Sequence, residues 1–343
     1  MTLRFTAFGL TLALVVVYAG AALGQSPTEK VSQTAFVFGT PCTISVYGKV
    51  SDADFAEVFA RMDELDELLS THVETSAVSQ LNRGSGGPVA VPFEVYELVR
   101  HGVAYSQLSD GAFDITIGPL IELWGVTGDN PRVPTGSEID AALAQVDYRR
   151  VILLESGRRV LLEKRGMQID LGGIAKGYAA DEAASILREM GHDYGIVNLG
   201  GNIVTIGSRP DGTPWRIGIQ HPEKTRGDTI AILDIVDRTV VTSGKYERFF
   251  LQDNVTYHHI IDTKTGYPVE NGLASVTIIT DSSMKADALS TAVFTLGLSA
   301  GLKLIRGFDG VEGVLVTEEG IIHLTEGIEN SFNLVDTRFS VAP

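Results

Sequence analysis

Apolar residues recur at helical spacing between Ser51 and Ser70, where Phe55, Val58, Phe59, Met62, Leu65 and Leu69 share one face behind a Ser51/Asp52 cap. This pattern predicts an amphipathic helix with one buried stripe. A strand is predicted before it, over Phe36 to Tyr47, and a second helix after it, from about Pro92 to Leu108, with Val95, Leu98 and Val99 inward. Val151 to Leu162 reads as a hairpin around Glu155-Ser156-Gly157. From Gln168 onward strands and helices alternate. A short strand to Leu171 precedes a helix from about Ala175 to Met190, stopped by Gly191. Strands follow near Ile196–Leu199, Trp215–Ile219, Ile230–Ile235, His258–Ile261 and Ser275–Thr280. Helices near Met284–Leu296 and Ala300–Ile305 and a hairpin at Glu318-Glu319-Gly320 close the chain. Gly128 to Gly136, rich in Gly and Pro, reads either as a boundary or as an active-site loop.

The first 24 residues change the picture at the N-terminus. One cation at Arg4, an apolar run from Leu10 to Val17 and small residues in Ala22-Leu23-Gly24 read as an export signal, with the mature chain starting near Gln25. An uncleaved anchor is the alternative, since Phe5 to Gly24 is long enough to span a bilayer. The single cysteine, Cys42, is not at a cleavage point, so a lipoprotein is not expected and no intrachain disulfide can form. The remaining 25–343 are expected to form one domain.

Composition restricts the partners. At 343 residues and 44% apolar content the chain can bury a core, while 43 acidic against 27 basic residues leave a net charge of −16. Such a surface repels nucleic acid, and a polyanionic ligand needs local help from a cation or from backbone N–H groups.

Four glycine-rich clusters mark candidate ligand loops: Gly111–Leu120, Asp170–Tyr178, Asn198–Asn202 and Thr242–Arg248. In the second, a strand runs through Gly172-Gly173 into a helix carrying Lys176 on its first turn, an arrangement suited to phosphate. It matches neither the P-loop spacing nor the three-glycine dinucleotide fingerprint. The fourth leads to His258-His259-Ile260-Ile261-Asp262 and holds more ionisable groups than a surface turn requires. Adjacent strand residues point to opposite faces, so at most one of His258 and His259 should enter a given pocket. Asp287 and Thr291, four apart on a helix, share a face. Their spacing suits two oxygen ligands for Mg²⁺ or, alternatively, a capping carboxylate and a packed threonine.

Taken in order, from Phe38-Gly39-Thr40 through these clusters to Gly297, the motifs resemble the ApbE family of flavin transferases, the FAD:protein FMN transferases. The resemblance implies an α+β fold, with mixed β-sheets packed with helices in two lobes around a flavin cleft. It implies that Ala112, Phe113, Asp114, Asp170 and Lys176 contact FAD, with Phe38 and His72 also lying against it. Mg²⁺ would be held by the Gly173 carbonyl and by Asp287 and Thr291. His259 is the candidate base, binding or orientation of FAD being its other reading.

The implied reaction is Mg-dependent transfer of FMN from FAD to a Thr or Ser hydroxyl of an acceptor protein, releasing AMP. The alternatives are an FAD pyrophosphatase giving FMN and AMP, or a non-catalytic periplasmic FAD-binding protein. Expected partners are FAD and exported acceptors such as subunits of membrane redox complexes, and the expected location is periplasmic. Two departures stand out: Phe38 where the family commonly has methionine, and His72 where it often has tyrosine. The second implies looser hold on FAD and a leak to hydrolysis.

Overall fold

The computed structural model describes residues 29–128, 130–224 and 227–343. The export signal read at residues 1–24 lies outside the described residues. Among those described, no helix is long and apolar enough to cross a membrane.

Alternating exposure along Lys30–Val37 makes it the edge of a nine-stranded sheet. The order continues through Thr40–Tyr47, Gly195–Leu199, Asn202–Ile206, Thr239–Gly244, Leu273–Thr280, Glu312–Thr317, Ile321–Leu324 and Ser340–Val341. Neighbours are antiparallel until the last pair, which is parallel. Leu273–Thr280 is buried along its whole length because both sheet faces are covered there. One face packs the helices Asp52–Leu69, Ala175–Glu189 and Ser283–Leu296. The other packs a three-stranded sheet through Trp215, Ile217, Ile219 and Leu233 against Val240, Ile279, Val314 and Val316. The architecture is therefore α+β with mixed sheets.

The expected strand Phe36–Tyr47 is two strands. Phe38 (φ 52°) and Gly39 (φ 66°) form a two-residue turn with both angles positive, which suits the twist of a tight hairpin. Phe38 tolerates that conformation because its N–H donates to Asp66 Oδ2 at 2.7 Å. The expected strand His258–Ile261 lies instead at Val255–His258, paired with Phe249–Gln252 as a separate ribbon. The short strand to Leu171 reduces to a single bridge between Ile117 and Gln168. The helix at Asp52–Leu69 carries a full capping box from Ser51 and Asp54 and buries the predicted stripe except Phe59, which is partly buried.

Candidate active site

The site forms where two helices cross at a glycine. A Cβ on Gly177 would stand 2.2 Å from Ser283 O and 2.7 Å from Met284 Cα, so only glycine lets Ala175–Glu189 approach Ser283–Leu296 this closely. Asp181, one turn further on, ties down the same end. Its carboxylate accepts from Ser282 Oγ at 2.9 Å, Ser283 N at 2.8 Å and Met284 N at 3.0 Å.

The crossing presents Asp287. Its Oδ2 accepts from Gly177 N at 3.0 Å, and its Oδ1 lies 3.5 Å from Lys176 Nζ, which also donates to Gly172 O at 3.1 Å. Asp287 is only 4% exposed yet it is not the helix cap, since Ser282 caps that helix. The capping alternative is thereby removed. One turn on, Thr291 Oγ1 lies 3.5 Å from Ser243 Oγ, itself 2.8 Å from Ser290 Oγ. A Cβ on Gly173 would stand 3.6 Å from Thr291 Oγ1 and 3.0 Å from the Phe113 ring, so the Gly172-Gly173 loop is pressed between the two. Gly173, Asp287 and Thr291 therefore converge, with Lys176 and Phe113 beside them.

A second group of residues extends this site. Asp170 accepts from Gly172 N at 2.7 Å. Burial pushes its carboxyl upward, while the charges of His72, Lys176 and Arg248 pull it back. His259 donates its backbone N–H to Arg248 O at 3.1 Å, and its Nδ1 lies 3.1 Å from the same oxygen. A carbonyl can only accept, so Nδ1 carries the proton and Nε2 keeps a free lone pair. Burial pushes the imidazole down to about 3, with Arg248, His258 and Lys176 adding to the shift. His258 points elsewhere, with Nε2 2.9 Å from Val269 O.

The remaining predicted residues take other positions. Asp114 is buried, and its carboxylate accepts from Thr116 N, Thr116 Oγ1 and Tyr148 N at 2.7–3.0 Å. It ties down the Gly111–Asp114 loop, in which Ala112 and Phe113 are also buried. Phe38 sits in the turn beside Gly39, whose Cβ would stand 3.9 Å from Arg248 Nη2. His72 is exposed, within electrostatic reach of Asp170. Arg248, Ser243 and Gly177 lay inside clusters singled out in the sequence, but periodicity gave them no role.

The comparisons place this fold among known proteins. The ApbE protein of Thermotoga maritima superposes with TM-score 0.83 at 37% identity, covering 88% of this chain and 99% of its own. The flavin transferase ApbE of Vibrio cholerae gives 0.80 at 28% identity, covering 89% and 100%. The FAD:protein FMN transferase of Treponema pallidum is 34% identical over 338 residues, 93% of each chain. One from Klebsiella pneumoniae is 35% identical, covering 92% of this chain and 98% of its own. Fold and relatives thus define an enzyme of the flavin-transferring class, which removes the carrier alternative. The ApbE family model matches residues 38–315, and the chain belongs to the ApbE family.

Proposed function

We propose that the protein transfers FMN from FAD to a Ser or Thr hydroxyl of an exported acceptor protein, releases AMP, and uses Mg²⁺. The observation that supports this reading best is the convergence of one carboxylate, one hydroxyl and one backbone loop at Asp287, Thr291 and Gly173. These are hard oxygen donors with a single negative charge, a set that leaves room for water and substrate phosphate and so fits Mg²⁺. The ion, when bound, would neutralise charge on the pyrophosphate.

The chain's own groups do the rest. Asp287 is held toward the site by the Gly177 N–H, and Lys176 places its ammonium beside it, where an anionic pyrophosphate gains most from a cation. Phe38, Phe113, His72 and Asp170 line the flavin side, with Ala112 and Asp114 shaping the loop beneath. His259 Nε2 takes the proton of the acceptor hydroxyl as its oxygen attacks the flavin-side phosphorus. The bond from that phosphorus to the bridging oxygen breaks, and AMP leaves with that oxygen. The anionic substrate offsets Arg248 and Lys176 and so raises the imidazole from its depressed value when FAD is bound.

We further propose that His72, exposed and smaller than a tyrosine, holds FAD less tightly and allows some FAD hydrolysis beside transfer. We place the mature chain, from about Gln25, outside the cytoplasmic membrane. The test is AMP release from FAD and Mg²⁺ with and without an acceptor, followed together with acceptor mass. A gain of one FMN, lost with EDTA, supports transfer; AMP and free FMN with no acceptor gain would make the enzyme a hydrolase.

A further inference from the structure

We propose that His258 is a positioning residue, which clamps the chain around His259 so that the His259 imidazole stays on the Arg248 carbonyl and keeps its place relative to the helix of Asp287 and Thr291. The inference rests on the transfer reading above for what His259 does, and on the geometry of this chain alone for how the ring is held.

The two adjacent histidines are held in opposite tautomers. Ile260 N donates to His258 Nδ1 at 3.3 Å, so Nδ1 carries no proton. The proton of the neutral ring sits on Nε2, which donates to Val269 O at 2.9 Å. His259 has the reverse arrangement, with its proton on Nδ1 toward Arg248 O. Both nitrogens of His258 are thus engaged, and the residue is 5% exposed. A charged ring would turn a second N–H against the Ile260 N–H. Burial also holds the imidazole below its ordinary value; Lys245 adds to the shift, while the bond to Val269 O and the charges of Glu270 and Glu318 oppose it. A neutral ring with both nitrogens occupied offers the reaction no proton, so what His258 can contribute is position.

The His258 ring reaches past His259 to Ile260, whose C=O in turn accepts from Val269 N at 3.0 Å. Ile261 and Pro268 bridge next, and Asp262 N donates to Tyr267 O at 2.8 Å. His259 is therefore fixed from one side by these bonds and from the other by Arg248 O, which accepts its backbone N–H and its Nδ1–H, each at 3.1 Å. Without the His258 imidazole the buried Ile260 N–H loses its acceptor, and the backbone on both sides of His259 is released. The same ring stands edge-on to Phe294, with centroids 6.0 Å apart at 81°. Phe294 follows Thr291 by three residues and Asp287 by seven on Ser283–Leu296, so the three share a helix face. Through Phe294, His258 sets where the base stands relative to that carboxylate and hydroxyl. A displacement of about 1 Å between reacting groups can cost on the order of 100-fold in rate.

The test compares wild type with His258→Leu, His258→Gln and His192→Leu. His192 is the control, a buried histidine paired with Asp54 at 3.2 Å just past the end of Ala175–Glu189 opposite Lys176. Turnover is measured with saturating FAD and Mg²⁺ and a purified apo flavin-accepting subunit of a membrane redox complex. FAD affinity is read by flavin fluorescence and the His259 imidazole by its NMR titration. Expected in His258→Leu is a fall of about tenfold or more in kcat with the Kd for FAD within about twofold, and a His259 titration displaced from about 3 toward 6.5. His258→Gln, whose amide can still donate to Val269 O, should regain most of the rate. His192→Leu should lower the urea midpoint and move neither reading. Wild-type kcat and an unmoved His259 titration in His258→Leu overturn the proposal. So does a loss of kcat that His192→Leu shares, or one that runs with an equal loss of FAD affinity. Should the leucine variant misfold by circular dichroism, His258→Asn, too short to reach Val269 O, carries the same comparison. Wild-type turnover in His259→Gln would instead sink the base reading, while the His259 titration still decides whether His258 holds the ring.

Discussion

Gly177→Ala tests the helix crossing because two well-known effects oppose each other there. Helix propensity alone favours alanine over glycine by about 1 kcal/mol inside a helix. The structure opposes this, since the added Cβ would meet Ser283 O at 2.2 Å and Met284 Cα at 2.7 Å, both backbone atoms that cannot swing aside. The helices would have to separate by roughly 1 Å to restore ordinary contact. Overpacking of this kind costs about 1–3 kcal/mol. The same displacement pulls Gly177 N–H from Asp287 Oδ2, a bond to a charged group contributing about 1.5–3 kcal/mol. The sum less the propensity gain is a net loss of about 3 kcal/mol. Urea unfolding should show a lower midpoint at unchanged slope, and Mg²⁺-dependent turnover should fall with it. Gly136→Ala is the control: it also begins a helix, but a Cβ there meets nothing within 4 Å, so it should be neutral or mildly stabilising. A Gly177→Ala protein as stable as wild type would refute the steric argument.

Asp287→Ala should abolish Mg²⁺-stimulated AMP release and cost about 1–3 kcal/mol through the unpaired Gly177 N–H, read by metal titration and urea unfolding. His259 titrates in the fold at about 3 against an ordinary 6.5, so its contribution to stability is present above 6.5 and is lost as pH falls toward 3. The acid limb that His259 sets in kcat/KM for FAD, which reports the free enzyme, should accordingly lie well below 6.5 and vanish in His259→Gln; a limb at 6.5 or above contradicts the assigned environment. Cys42 is buried, and burial pushes its thiol up to about 12, so iodoacetamide at pH 8 should leave the native protein unlabelled and label it once unfolded, as mass spectrometry would read.

The sequence made legible what repeats locally. Phe55 to Leu69 is a one-faced stripe with its own cap, and it folds as read. The turn at Phe38-Gly39 was hidden because its positive angles are held by Asp66, 28 residues away, while the flanking residues keep a strand-like composition. Asp287 and Thr291 show the same limit in the site. Their spacing allowed a cap or a ligand pair, and only Ser282 as the cap and Gly177 as the carboxylate's partner separate the two. The tautomer of His259 depends on the Arg248 carbonyl, a tertiary contact with no sequence signature. The short helices Ala77–Arg83, Gly118–Trp124 and Gly136–Leu143 escaped periodicity because two turns carry too few apolar positions to show a period.

The site draws its walls from segments scattered between Phe38 and Thr291, and its carboxylate and hydroxyl come from one of the last helices in the chain. A chain without the helix Ser283–Leu296 would keep the glycine loops but lack both Asp287 and Thr291 and the Gly177 contact that orients the carboxylate, so under the proposed function it would lack the groups assigned to the metal.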